Sequence, residues 1–290
     1  MRMSEFRNAQ AADRFRAAYD HALATLWPGP RTAQDVPTAF GTTRVQRTGT
    51  PQGRPIVLLP ASGGNALMWH HQLDQLAQHH EVFALDPIGE PGASVQTAPI
   101  VDGADAAAWL EGVLAALDLA DVHLVGCSYG GWVALQHRLH HPGRVGVMTL
   151  LDPAGFNGFG FRFYAWLIAG GLAASAPRAL RPRLARAVGN SAVLEDELMK
   201  LTRAAMGFRR ALPVPPVLTD EELRRIDLPA RFLLGARSAL HDSAAVAARI
   251  SGLLPTARVE VVPGAGHSLP MDAPDLVAER ILAQLSSRAD

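Results

Sequence analysis

HLVGCSYGGWVALQ, residues 123–136, runs from an apolar, strand-like stretch straight into an apolar, helix-like one. Gly126, Cys127, Ser128, Tyr129 and Gly130 sit at the junction and fit G-x-S-x-G. A strand-to-helix setting is the one in which that motif carries chemistry. A chain that reverses so sharply drives its central residue into an unfavourable backbone conformation, and small neighbours are needed to avoid clashes. In return the Ser128 hydroxyl projects clear of the sheet. The helix N-terminus behind it turns N–H groups and a positive dipole end toward developing negative charge. Ser128 is therefore the candidate nucleophile. Cys127 points in another direction on the turn and reads as a small packing residue.

Outward from this turn the chain keeps a beat of strand and helix. Before it come IVLL from residue 56, the helical NALMWHHQLDQLAQHH, the strand EVFAL and a helix over about 104–117. After it come the strand RVGVMTLL, then ARFLLG, a helix over 243–253, RVEVV and a last helix from Asp275. Alternation of this kind implies right-handed crossovers and a mainly parallel central sheet flanked by helices, an α/β fold. Residues 4–26 read as an amphipathic helix ended by WPGP, within an N-terminal helical segment over 1–30. AFGTTRVQRTG alternates like an edge strand or hairpin. The beat lapses over 153–228, which holds helical patterns and no convincing strand. The expected organisation is a core of residues 1–152 and 229–290 with an inserted helical cap, or lid, at 153–228.

Composition narrows the classes of function. Among 290 residues, 27 Lys and Arg balance 27 Asp and Glu, so there is no basic field for nucleic acid or an anionic membrane. The single cysteine excludes an internal disulfide framework and a Cys-rich metal site. No apolar run approaches the roughly 18 residues of a membrane span, and MRMSEFRNAQ has no apolar signal core. The expectation is a cytoplasmic protein acting on a small molecule, with no metal and no organic cofactor; oligomeric state is not legible.

A serine hydroxyl needs a base to take its proton. His70, His71, His79, His80, His137, His140 and His141 fall on helix surfaces or ends, and His123 alternates within a strand. His267 differs: it lies just past the last strand in VVPGAGHSLPMDAP, in a loop opened by Pro263, Gly264 and Gly266. Loops at the carboxyl ends of strands are where sites form in open α/β sheets. His267 is the candidate base.

Four stretches in order, VLLPASGGNALMW, FALDPIGEPGAS, GCSYGG and VVPGAGHSLPMDAP, resemble the α/β-hydrolase superfamily, most closely its bacterial carboxylesterase-like members with a helical cap. The likeness spans nearly the whole chain and is weakest over 153–228. It implies a catalytic triad and an oxyanion hole, with one amide from Tyr129 and one from Ala61 or Ser62. The usual His-Gly of that loop is replaced here by Pro60-Ala61, and Pro60 has no N–H to give. The family's acid usually stands three residues after the glycine of ARFLLG, a position held here by Ser238. A serine cannot offset imidazolium charge. Two carboxylates compete in its place: Asp152 at the end of VMTLLD, where some superfamily members carry the acid, and Asp242, which is also a natural helix cap. A dyad without an acid, or Ser238 acting through water, is the remaining option. Asp86 in DPIGEPGAS matches a family turn and is read as structural.

For the substrate pocket, Trp69 and the aromatics of the cap, Phe156, Phe159, Phe161, Phe163, Tyr164 and Trp166, are the candidates. The expected function is a serine hydrolase cleaving an ester or related acyl bond of a small, largely apolar substrate through an acyl-enzyme. An acyltransferase, thioesterase or cyclase would use the same residues, as would a cofactor-free perhydrolase or C–C hydrolase. A non-enzymatic small-ligand sensor is the alternative outside enzymology.

Overall fold

The structure, a computed structural model, describes residues 2–286. The chain opens with β1 (Glu5–Phe6) and α1 (Ala9–Leu26), then the hairpin β2 (Thr32–Thr38) and β3 (Gly41–Gly49). β4 (Ile56–Leu59) leads through a short 3-10 turn, Ala66–Trp69, into α2 (His70–Ala77) and β5 (Glu81–Leu85). β6 (Val95–Gln96), α3 (Gly103–Ala116), β7 (Val122–Cys127), α4 (Tyr129–His140) and β8 (Val145–Leu151) follow. The insert holds α5 (Phe161–Ser175), α6 (Arg181–Val188), α7 (Asp196–Ala205), β9 (Phe208–Arg209) and α8 (Asp220–Arg224). The core resumes with β10 (Ala230–Gly235), α9 (Ser243–Leu253), β11 (Ala257–Val262), α10 (Leu269–Asp272) and α11 (Pro274–Ser286).

All strands but β1 and β9 form one sheet in the order β11-β10-β8-β7-β4-β5-β3-β2, with β6 paired to β3. From β11 to β5 every neighbour is parallel, and the β3 pairings are antiparallel. The mainly parallel sheet expected from the strand–helix beat is therefore present. Its central strands are apolar runs because helices cover both faces. Along β4 the side chains alternate between two cores. Val57 and Leu59 join Trp109 of α3, Trp132 of α4 and Ile250 of α9. Ile56 and Leu58 join Phe15 of α1, Leu76 of α2 and Ile281 of α11. No helix among the described residues is long and apolar enough to cross a membrane.

Two elements depart from the expectation. The N-terminal helix begins at Ala9, because the Asn8 side chain accepts the Ala11 N–H and caps it. Residues 5–6 instead form β1, antiparallel to β9 of the insert, with Phe6 opposite Phe208. Phe6 also meets Phe15 and Phe208 through its ring. The chain's beginning is thus stitched to the insert as well as to the sheet. A strand of two residues has no period to detect, and its partner lies some 200 positions away in sequence. At the start of α8, Thr219 and Glu222 form a capping box and satisfy each other's backbone N–H.

Candidate active site

Ser128 occupies the turn between β7 and α4 with φ 50° and ψ −112°, a left-handed value strained for a residue with a side chain. Close packing fixes it there. A Cβ on Gly126 would meet the Gly130 carbonyl oxygen at 2.5 Å, and one on Gly130 would meet the Leu59 oxygen at 2.5 Å. The glycines let two strands and a helix converge on one point. The Ser128 N–H donates to the Leu151 carbonyl at 2.9 Å, tying the turn to the end of β8.

His267 reaches the serine from the loop after β11. Its Nε2 lies 3.0 Å from Ser128 Oγ and its Nδ1 lies 2.6 Å from Asp152 Oδ2. An ionised carboxylate only accepts hydrogen bonds, so Nδ1 carries the proton and Nε2 accepts the serine hydroxyl. Asp152 is the residue immediately after β8 and is fully buried, with φ 44°. It takes three further hydrogen bonds. Ser238 Oγ donates at 2.5 Å to Oδ2, the Gly235 N–H at 3.1 Å and His241 Nε2 at 3.0 Å, the last two to Oδ1. Burial works to raise the Asp152 carboxyl, but the hydrogen bonds and charges of His241 and His267 override it and hold the group below the usual carboxylate range. The carboxylate is thus charged and pinned from both sides.

The structure brings Ser128, His267 and Asp152 together and sets Asp242 apart. Asp242 accepts the Ala244 and Ala245 N–H groups at the start of α9. It does the work of a cap, and its carboxylate is spent on the helix. The vacancy at Ser238 is filled by its hydroxyl turning to Asp152. His241, between them, was not among the candidate histidines. It is buried, and with Nε2–H given to Asp152 its Nδ1 has no partner among the described residues. The signal was available: a histidine one position before the competing aspartate, in the very loop searched for an acid.

The loop after β4 supplies amides. The Ala61 N–H points at Met68 Sδ at 3.2 Å, the Gly63 N–H at Glu90 Oε2 at 2.9 Å, and the Gly64 N–H at the Ala61 oxygen at 2.9 Å. The Ser62 and Tyr129 amides find no protein acceptor among the described residues. Of the two loop residues expected as donor, Ser62 has the free N–H and Ala61 has a weak sulfur acceptor already. Glu90, in the same turn as Asp86, is a second residue the sequence did not reveal. It is buried, takes the Arg210 Nε at 2.7 Å, and the Arg210 guanidinium lies 4.4 Å from the Tyr129 ring centre. Asp86 is structural as expected, accepting the Ala66 and Ala93 amides.

A cavity of about 350 Å³ opens on Ser128 and His267. Met68, Phe163, Trp166, Leu198, Met199 and Met271 are among its walls. Phe163 and Trp166 meet the His267 ring edge-on, with centres 5.7 and 5.5 Å away. They cover the histidine with apolar surface from the insert. Five of the expected pocket aromatics lie elsewhere. Trp69 is wholly buried in the core cluster, and of the 3-10 turn it is Met68 that lines the cavity. Phe156 turns back onto β10 and stands edge-on to Phe232. Phe159 packs on Phe163 and the core beneath it. Phe161 and Tyr164 face solvent on the outer side of α5. Cys127 is buried beside the serine, and burial, then Asp152, pushes its thiol well up, so it is no thiolate nucleophile.

A family model described as the alpha/beta hydrolase family matches residues 56–280. The carboxylesterase YbfK of Bacillus subtilis is 29% identical over 97% of this chain and 96% of its own length. A second protein of that organism, the carboxylesterase nap, is 30% identical over 93% and 91%. Crystal structures of carboxylesterase CesB (YbfK) and of naproxen esterase, both from Bacillus subtilis, match with TM-scores of 0.80 and 0.81 at 26% and 27% identity. Each covers 96% of this chain and 99% of its own.

Proposed function

The chain belongs to the α/β-hydrolase family, and on that premise we propose that it hydrolyses carboxylic esters through a Ser128–His267–Asp152 triad. The observation that carries this is the unbroken line of contacts, 3.0 Å from Ser128 Oγ to His267 Nε2 and 2.6 Å from Nδ1 to Asp152. Ser128 Oγ attacks the ester carbonyl as Nε2 takes its proton. Asp152 holds the ring in the tautomer this needs and stabilises the imidazolium that forms. The carbonyl oxygen becomes an oxyanion in front of the Tyr129 and Ser62 amides, backed by the α4 N-terminus. The imidazolium then protonates the departing alkoxide and leaves an acyl-serine. Water loses a proton to Nε2, adds to the acyl carbon, and the acid departs as Ser128 recovers its hydrogen.

The cavity selects what arrives. Its apolar walls suit a small, largely apolar ester whose acyl group lies between Met68 and the Phe163–Trp166 side. A free, buried thiol and no disulfide are consistent with work in the cytoplasm. The test is hydrolysis of p-nitrophenyl butyrate by Ser128→Ala: a fall in kcat on the order of 10⁴-fold or more is expected. Activity within tenfold of the unaltered protein would overturn the reading.

A further inference from the structure

His70, His71 and Glu195 bring three donor atoms within 4.8 Å of one another. His70 and His71 open α2 on the core side, and Glu195 lies in the insert as the residue before α7. From the sequence these histidines read as solvated groups on a helix. The structure buries His70, with 8% of its surface exposed. Its Nδ1 lies 3.0 Å from the Leu67 carbonyl. A carbonyl only accepts, so Nδ1 holds the ring proton and Nε2 presents a bare lone pair. That Nε2 is buried and makes no hydrogen bond within normal distance among the described residues, facing only the Glu195 carboxylate at 3.7 Å. A backbone carbonyl fixing the far nitrogen is the support that metal-ligating histidines usually have.

The carboxylate completes the set from the other side. Glu195 stands at the N-cap of α7 and makes no side-chain cap there. It faces the imidazoles instead, with Oε1 3.0 Å from His71 Nε2 and Oε2 3.7 Å from His70 Nε2. Donors about 2.0–2.1 Å from a tetrahedral zinc stand about 3.4 Å apart, and these two spacings bracket that value. The two rings lie with centres 3.9 Å apart, so neighbouring helix residues converge on one point.

We propose that His70 Nε2, His71 Nε2 and Glu195 form a site for a divalent transition metal of the zinc class, with the fourth position open to water. Two imidazoles and one carboxylate suit zinc, cobalt or nickel and not magnesium or calcium, which favour all-oxygen shells. The ion would fasten the insert to the core. α7 supplies Leu198, Met199 and Leu201 to the cavity wall, so one bond to Glu195 fixes that wall against α2. This site stands whether or not the ester-hydrolase assignment does, since it shares no residue with the triad.

The test is calorimetric titration of the full-length, chelator-treated protein with zinc chloride, repeated with cobalt chloride and read by visible absorption. One equivalent is expected to bind, the cobalt form showing the intense d–d bands of a tetrahedral site. His71→Ala and Glu195→Gln should each weaken zinc binding by at least tenfold, while His79→Ala, at an exposed histidine outside the cluster, should not. Thermal unfolding without metal checks that the variants fold. Glu195→Gln keeps the side chain's shape, so it carries the test if His71→Ala is unstable. Amide exchange in residues 191–205 should slow when zinc is added. Absence of a one-to-one complex, equal binding by Glu195→Gln, or unchanged exchange at 191–205 would overturn the proposal.

Discussion

The turn after β8 and the loop after β10 leave neighbouring strands of one sheet and end within hydrogen-bonding distance, yet they contribute differently. The first carries one carboxylate and nothing else of use. The second carries Ser238, His241 and Asp242, two of which hold that carboxylate while the third caps a helix. Charge sits on one strand and its support on the next. The lesson is that an acid can stand one strand over provided the loop it leaves is refitted with donors. Without Ser238 and His241, the buried Asp152 would keep only His267 and the Gly235 N–H, losing two hydrogen bonds to a charged group worth about 1.5–3 kcal/mol each.

The largest effect that sharpens this contrast is on the carboxylates. Asp152→Asn is expected to lower kcat/KM for p-nitrophenyl butyrate about 10⁴-fold, because the amide favours the wrong histidine tautomer. Asp242→Asn should stay within twofold. Next is His241→Ala, which removes a hydrogen bond to a buried charge worth about 1.5–3 kcal/mol. A drop of roughly 10- to 100-fold in kcat with little change in KM is expected, partly restored in His241→Gln. An unaltered kcat would mean that the second loop is scaffolding only.

A pH series separates the two loops from the rest of the molecule. Burial pushes His123 on β7 to about 3 and His137 on α4 to about 4, the latter against the pull of Glu111. Unfolded histidine takes up a proton near pH 6.5, whereas these two stay neutral in the folded state until pH is much lower. Their contribution is complete above 6.5 and is lost as pH falls toward 4. The slope is roughly 1.4 kcal/mol per unit for each. The Asp152 carboxyl is held low, so its contribution is present above its unfolded value and is lost only at more acidic pH. Urea unfolding from pH 6.5 to 4.5 should therefore show a loss that His137→Gln makes shallower. The smallest effect is that of the cap: Asp242→Ala should cost about 1 kcal/mol of stability and leave the catalytic rate alone.

What could be read in the sequence, and what could not, follows the same divide. The nucleophile turn was legible because G-x-S-x-G between strand and helix admits few backbone solutions, and His267 because it sits in a glycine-rich loop past the last strand. Asp152 and Asp242 could not be separated from residues alone. Each ends or follows a strand, and only the third dimension shows which points at the imidazole. His241 went unnoticed because a pattern for acids does not look for a second base. Glu90 and Arg210 lie 120 positions apart, so no local pattern joins them. The aromatics between residues 156 and 166 are not sorted by sequence for another reason. In α5 every third or fourth residue shares a face, so Phe163 and Trp166 look into the cavity while Phe161 and Tyr164 look out. Phe156 and Phe159 precede the helix and obey no such period.

The most direct measurement is the rate at which a fluorophosphonate labels Ser128, with the modified peptide identified by mass spectrometry, in the unaltered protein, Asp152→Asn and Asp242→Asn. Labelling at Ser128 is expected to be equally fast in the unaltered protein and Asp242→Asn, and slower by orders of magnitude in Asp152→Asn. Undiminished labelling in Asp152→Asn, or a comparable loss in Asp242→Asn, would contradict the assignment of Asp152 as the residue that holds the histidine to its task.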